Sequence, residues 1–238
     1  MPLVMSSPAT LQDVLLRPDV WRGDRLAWAD GTCISSGFSM LDAELPGGGW
    51  PRGGLIELLA EAAGIGEVSS LLPALRQVTH EGPIVIVAPP QCLHAPAWAA
   101  ALPRACLWVV AASGENAAWS TELLLASGAA GAVLAWLPGV NTRSLRRLQL
   151  ASEGTRSLAF VFRLPAAART ASPALLRLAL SGGRDGLTMR ILKRRGPFCA
   201  RSLSLPVARP LPWSRLPRTD AEPRYSFPDT GPLRAVQA

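Results

Sequence analysis

Lysine is almost missing from this sequence: of the 24 basic residues among 238, only Lys193 is a lysine. No loop before residue 193 can therefore offer a phosphate the ammonium charge that nucleotide-binding loops use. Histidine is nearly as scarce, with His80 and His94 alone. Neither His80 nor the acids Glu115 and Glu122 has a nucleophile or acid partner at a matching spacing, so no catalytic constellation is expected. The four cysteines, Cys33, Cys92, Cys106 and Cys199, form no Cys-x-x-Cys pair. That argues against a zinc knuckle and a disulfide framework and suits a reducing, cytoplasmic compartment. Cys92, His94 and Cys106 are three donors without an obvious fourth, so no metal is expected. No basic region followed by an apolar run opens the sequence, and the most apolar stretch, 95–114, is broken by Pro103 and Arg104. Neither a secretory leader nor a membrane span is expected, and the reading is a soluble protein without a membrane partner.

Apolar residues make up 49% of the chain, enough to bury one substantial core. Charge is distributed unevenly: the net +7 divides into −6 over residues 1–140 and +13 over 141–238. This asymmetry makes the C-terminal half a candidate contact for nucleic acid or for an acidic protein surface. Against eight tryptophans stands one tyrosine. Trp108 and Trp136 fall inside apolar runs and read as core. Trp21, Trp50 and Trp213 fall in loops or the tail, where large aromatics either serve interfaces or pack under a loop.

Residues 10–17 (TLQDVLLR) place Leu11, Val14 and Leu15 on one face of a short helix. A further short helix, closed by a glycine-rich turn, is expected within 35–54. Apolar strands at 55–60, 83–88, 106–111, 130–137 and 157–163 then alternate with helices at 67–80, 95–101, 115–127 and 142–154. Short all-apolar strands separated by helices predict an α/β fold, a mainly parallel sheet with helices on both faces. Alternation around Gly182–Gly186 predicts a C-terminal antiparallel hairpin at the sheet edge. The boundaries that follow are a helix and linker over 1–29, a core over 30–196, and a Pro/Arg-rich tail over 197–238. That tail is expected to be extended or disordered until a partner orders it.

The stretch 47–70, GGGWPRGGLIELLAEAAGIGEVSS, has the order of a phosphate-binding loop: turn, buried strand, small-residue loop, helix start. A working loop of this kind needs glycine-rich backbone N–H groups, a lysine for the outer phosphates and a hydroxyl for magnesium. Counted from Ala60, the lysine slot holds Gly66 and the hydroxyl slot Glu67; with Gly66 as the second glycine, the slots hold Glu67 and Val68. Glutamate beside a triphosphate repels it. Ala60, Gly64, Gly66 and Glu67 therefore read as a degenerate site for which no cofactor is expected, with Ser69 or Ser70 as the remaining hydroxyl. Treated as a surface residue, Glu67 should accept lysine for less than about 1 kcal/mol of stability.

Larger stretches carry a family resemblance. ISSGFSMLDAELPGGGWPRGGLIEL (34–58) resembles the entry to the core of RecA-type recombinases, and GENAAWSTELLLASGAAGAVLAW (114–136) resembles their helix and following strand. Over about 34–196 the chain is most similar to the ImuA family, RecA-like accessory proteins of SOS mutagenesis, through LASGAAGAVLAWLP, LRRLQLASEG and LAFVFR in that order. The same broader family includes SulA-type cell-division inhibitors. By this resemblance the core is RecA-like, the catalytic glutamate expected after 83–88 falls near Pro90, and the magnesium-orienting aspartate falls on Trp136. With lysine, base and metal ligand gone, no route to phosphoryl transfer remains, and the chain is not expected to be an enzyme. The DNA-contacting loop of recombinases is reduced to 164–173. The implied role is error-prone translesion DNA synthesis. The implied partners are an ImuB-type Y-family polymerase homologue, an error-prone polymerase of the DNA polymerase III alpha type, and RecA. The alternatives are a SulA-like inhibitor of the tubulin-like division protein and a weak ATP-dependent, DNA-binding recombinase relative.

Candidate contact residues remain. Arg143, Arg146 and Arg147 cluster at the start of the 142–154 helix, where 143 and 147 share a face; Lys193, Arg194 and Arg195 close the hairpin. Either cluster suits a DNA backbone or an acidic protein patch, and equally a solvated surface. Trp213 lies in SLPVARPLPW (204–213), a proline-rich run suited to lie extended on another protein. The helix at 10–17 is the candidate for self-association.

Overall fold

The apolar runs at 55–60, 83–88, 130–137 and 157–163 become strands covered on both sides. In the computed structural model, which describes residues 33–183, 186–197, 199 and 201–207, the first elements are β1 (Cys33–Ile34), α1 (Ser39–Asp42), β2 (Trp50–Pro51), β3 (Leu55–Ala60), α2 (Leu72–Val78) and β4 (Ile84–Val87). They are followed by α3 (Ala95–Ala101), β5 (Leu107–Val110), α4 (Gly114–Ser127), β6 (Ala132–Trp136), α5 (Thr142–Ser152) and β7 (Leu158–Arg163). A 3-10 turn (Pro165–Arg169), β8 (Leu176–Gly183), β9 (Gly186–Lys193) and β10 (Ser202–Leu205) complete the set. The helix expected at 10–17, Trp21 and Trp213 lie outside the described residues.

β1 and β2 form a small antiparallel ribbon; the other strands make one eight-stranded sheet in the order β10-β9-β8-β3-β7-β6-β4-β5. From β8 to β5 all pairs are parallel, and β9 and β10 are antiparallel. This is the expected α/β architecture, a mainly parallel sheet with an antiparallel C-terminal hairpin. Strand periodicity divides the core in two. Ile56, Leu58, Ile84, Leu134 and Phe160 face α1 and α2, while Leu55, Val85, Val87, Val133 and Val161 face α4 and α5. The α5 helix shows how sequence sets this packing. The Asn141 side chain caps it by accepting the Ser144 N–H at 2.8 Å, and Leu145 and Leu148 go inward while Arg143, Arg146 and Arg147 stay in water.

Several expectations are corrected. The helix expected from 67 begins at Leu72, because 67–71 are turns and Pro73 favours the first helical turn. The β8–β9 hairpin is not at the edge: Ser202–Leu205 pair with β9 beyond it, so the sheet continues past the boundary placed at 196. Trp108 is 51% exposed, because β5 is an edge strand that the helices leave uncovered. For Trp50 the packing reading holds over the interface one: it is fully buried and packs edge-on against Phe160, ring centres 5.4 Å apart.

Candidate functional site: a self-filled phosphate loop beside an apolar cavity

Where β3 ends at Ala60 the chain turns through 61–71 before α2 begins. Gly64 and Gly66 take left-handed conformations, φ +80° and +102°, which residues with a Cβ avoid. The loop shape of a phosphate site is therefore present. Its anion is the protein's own: Glu67 Oε1 accepts the Gly64 N–H at 2.9 Å, and the residue is only 5% exposed. Glu67 Oε2 is buried without a hydrogen-bond partner. Ser70, one of the two remaining hydroxyls, donates to the Glu67 carbonyl at 2.7 Å and is fully buried. Glu61 captures a second backbone donor, the Gly182 N–H, at 2.7 Å. Glu67 is thus part of the loop's internal bonding, and its placement as a surface residue is overturned.

Beside the loop, at the carboxyl ends of β3, β4 and β6, lies a cavity of about 450 Å³. Its walls are largely apolar, with Val68, Leu72, Leu93, Trp98 and Trp136 among them, and its described lining contains no lysine or arginine. Trp136, in the expected magnesium-aspartate position, stacks on Phe162 at 4.3 Å between ring centres. Pro90 also lines the cavity, reached from β4 through Ala88, whose φ is +51°. A triphosphate here would meet indole, proline and a carboxylate, with no cation to offset its charge. Cys92 and His94 line the same cavity and Cys106 does not. Among the described residues no group of three or more His, Cys, Asp or Glu is placed to hold a metal ion.

A second polar centre escaped the sequence reading. Glu57, wholly buried in β3, is gripped by Arg177 Nε from β8 at 2.7 Å, with Arg163 of β7 at 3.4 Å and the Ser172 hydroxyl donating at 2.7 Å. Arg177 also donates to the Ala167 and Thr170 carbonyls, so the 3-10 turn after β7 is tied to the sheet by this ion cluster. A lone acid inside LIELLA, with single arginines in the neighbouring apolar runs LAFVFR and ALLRLAL, was the available signal.

The basic candidates separate. Arg143 and Arg146 are exposed on α5; Arg147 is paired with Glu122 of α4 at 2.8 Å. Arg194 is turned inward, its side chain 8% exposed, bonded to the Glu44 carboxylate at 2.7 Å and to the Pro197 carbonyl. Lys193 Nζ donates to the Ser172 carbonyl at 2.8 Å; burial, then the charge of Arg177, holds its pKa below the usual lysine range. Arg195 is exposed. Large apolar side chains also reach the surface: Trp119 and Leu123, four apart on α4, are 60% and 58% exposed. Among the described residues no helix is long and apolar enough to cross a membrane.

No family model and no curated protein matches this chain. Among solved structures it is similar to the crystal structure of SulA from Pseudomonas aeruginosa, at 20% identity and a TM-score of 0.38, over 48% of this chain and 99% of that one.

Proposed function

We propose that this chain is a non-catalytic, RecA-like accessory protein of error-prone translesion synthesis. In this reading it assembles with an ImuB-type Y-family polymerase homologue and an error-prone polymerase of the DNA polymerase III alpha type, with RecA as a further partner. The observation that carries the non-catalytic half is the Glu67–Gly64 hydrogen bond: a loop whose own carboxylate takes its backbone donor has no use for a phosphate. The partner half rests on the resemblance of residues 125–163 to the ImuA family. The exposed Trp119 and Leu123 pair on α4 supports it, since large apolar side chains outside the core are the usual material of assembly faces.

The test is affinity capture of the tagged chain from DNA-damaged cells that express it, beside a Trp119→Ser/Leu123→Ser variant, with equilibrium dialysis against ATP. Recovery of the ImuB-type protein by the parent chain and its loss in the variant is the expected result, with no ATP retained. Recovery of the tubulin-like division protein instead would replace this reading with division inhibition. ATP-dependent retention on DNA would replace it with a recombinase relative.

A further inference from the structure

We propose that the apolar cavity beside the degenerate loop is a receptor for an aromatic side chain, and that its occupant is Trp213 of the same chain. This inference does not depend on the partners proposed above. The cavity walls combine two indoles, Trp98 and Trp136, with Leu72, Val68 and Leu93. A cavity built this way rejects phosphate and favours a flat ring that can stack or meet the tryptophans edge to face.

The path of the chain supplies the occupant. After β10 the backbone returns to the degenerate loop. Val207 is buried, and a Cβ added to Gly66 would lie 3.7 Å from the Val207 Cβ and Cγ2. Gly66 itself lines the cavity, so residue 207 stands at the cavity rim. The residues that follow are Ala208, Arg209, Pro210, Leu211, Pro212 and Trp213. Prolines at alternate positions favour the polyproline II form, whose rise of about 3.1 Å per residue gives Trp213 a reach of about 19 Å from Val207. That reach is ample for a cavity of about 450 Å³ entered from its rim. Charge agrees with this direction. Glu67 is the acidic residue of the described lining, and Arg209 is the first charged residue after Val207. Docking would place an arginine near that carboxylate and an indole among the tryptophans, in the volume a nucleotide base and phosphates would otherwise need.

Cys92 reports on the site directly. It lines the cavity and Cys106 does not, yet both are exposed in the described structure, so an empty cavity would leave both open to a thiol reagent. The full-length protein is treated with limiting N-ethylmaleimide, and labelling at each cysteine is followed by peptide mass spectrometry, with Cys106 as the internal reference. Trp213→Ala should raise the Cys92-to-Cys106 rate ratio, by about tenfold if the docked state outweighs the open one ten to one. Arg209→Ala should raise it less, and Trp213→Phe should retain most of the protection. Circular dichroism of each variant verifies that the core is intact. A ratio unchanged by Trp213→Ala would overturn the proposal. So would a parent-chain ratio that rises on dilution, because protection would then come from a second copy.

Discussion

The carboxylate of Glu67 holds the backbone N–H of Gly64 at 2.9 Å, across a turn made by two left-handed glycines. A side chain that looks misplaced in a phosphate loop is what satisfies that loop in the absence of phosphate. Replacing it with lysine therefore does not restore a nucleotide site. It removes the acceptor of a part-buried hydrogen bond and puts an ammonium where almost no water reaches. Glu67→Lys should cost about 2–4 kcal/mol, whereas Glu67→Gln, which keeps an acceptor oxygen, should cost about 1 kcal/mol or less. Urea unfolding of the two variants separates these values. A lysine variant as stable as the parent would remove the structural role assigned to Glu67.

The Glu57 cluster carries more positive than negative charge, so its members are not equivalent. Removal of Glu57 leaves Arg163 and Arg177 buried side by side without their counterion, and Glu57→Leu should cost about 3–5 kcal/mol. Removal of Arg163 leaves Glu57 still bonded to Arg177 and Ser172 and takes away a guanidinium whose Nε is buried without a partner. Arg163→Met should therefore cost clearly less than Glu57→Leu, in equilibrium unfolding at neutral pH.

Acid sensitivity follows from two other pairs. The Arg52 guanidinium donates to both oxygens of Glu81 and holds that carboxyl below its usual range; Arg194, donating to Oε2 of Glu44, likewise holds the Glu44 carboxyl down. A carboxylate with a depressed folded pKa contributes stability that is complete above the unfolded value, about 4.3 for glutamate, and is lost as pH falls through the folded one. Glu81→Gln should therefore be less stable than the parent at pH 7, and the gap should close as pH is lowered below about 4.3. A gap that stays constant down to acid pH would show that the pair's charge contributes nothing.

Much of this architecture is legible in sequence because strands buried on both faces must be apolar at every position, and β3, β4, β6 and β7 are nearly so. Composition does not say which apolar strand stands at the edge, and for that reason the run around Trp108 reads as core. β10 was hidden by its setting: Ser202–Leu205 alternate exposed and buried, a legible period of two, but the surrounding proline and arginine pointed to an unpaired tail. The degenerate loop was identified from the residues it lacks. What Glu67 does there depends on a contact across three residues in left-handed turns, which no pattern of residue types encodes.

The basic residues of the C-terminal half divide into those that hold the structure and those open to a ligand. Arg194 joins the end of β9 to the loop after α1 through the Glu44 side chain and carbonyl. Arg194→Ala should thus cost about 2–3 kcal/mol, as for other charged hydrogen bonds that are largely buried. Arg143 and Arg146 are exposed on α5, and Arg143→Glu/Arg146→Glu should change stability by no more than about 0.5 kcal/mol. If this face meets a DNA backbone, the double variant should bind single-stranded DNA more weakly at low salt and with a shallower salt dependence, since each lost phosphate contact removes its share of released counterions. Unfolding curves and DNA titrations at two salt concentrations read both effects. Unchanged DNA binding in the folded double variant would clear this helix of a nucleic-acid role. A loss seen only with Arg194→Ala would track the fold, because that guanidinium is turned inward onto Glu44 and the Pro197 carbonyl.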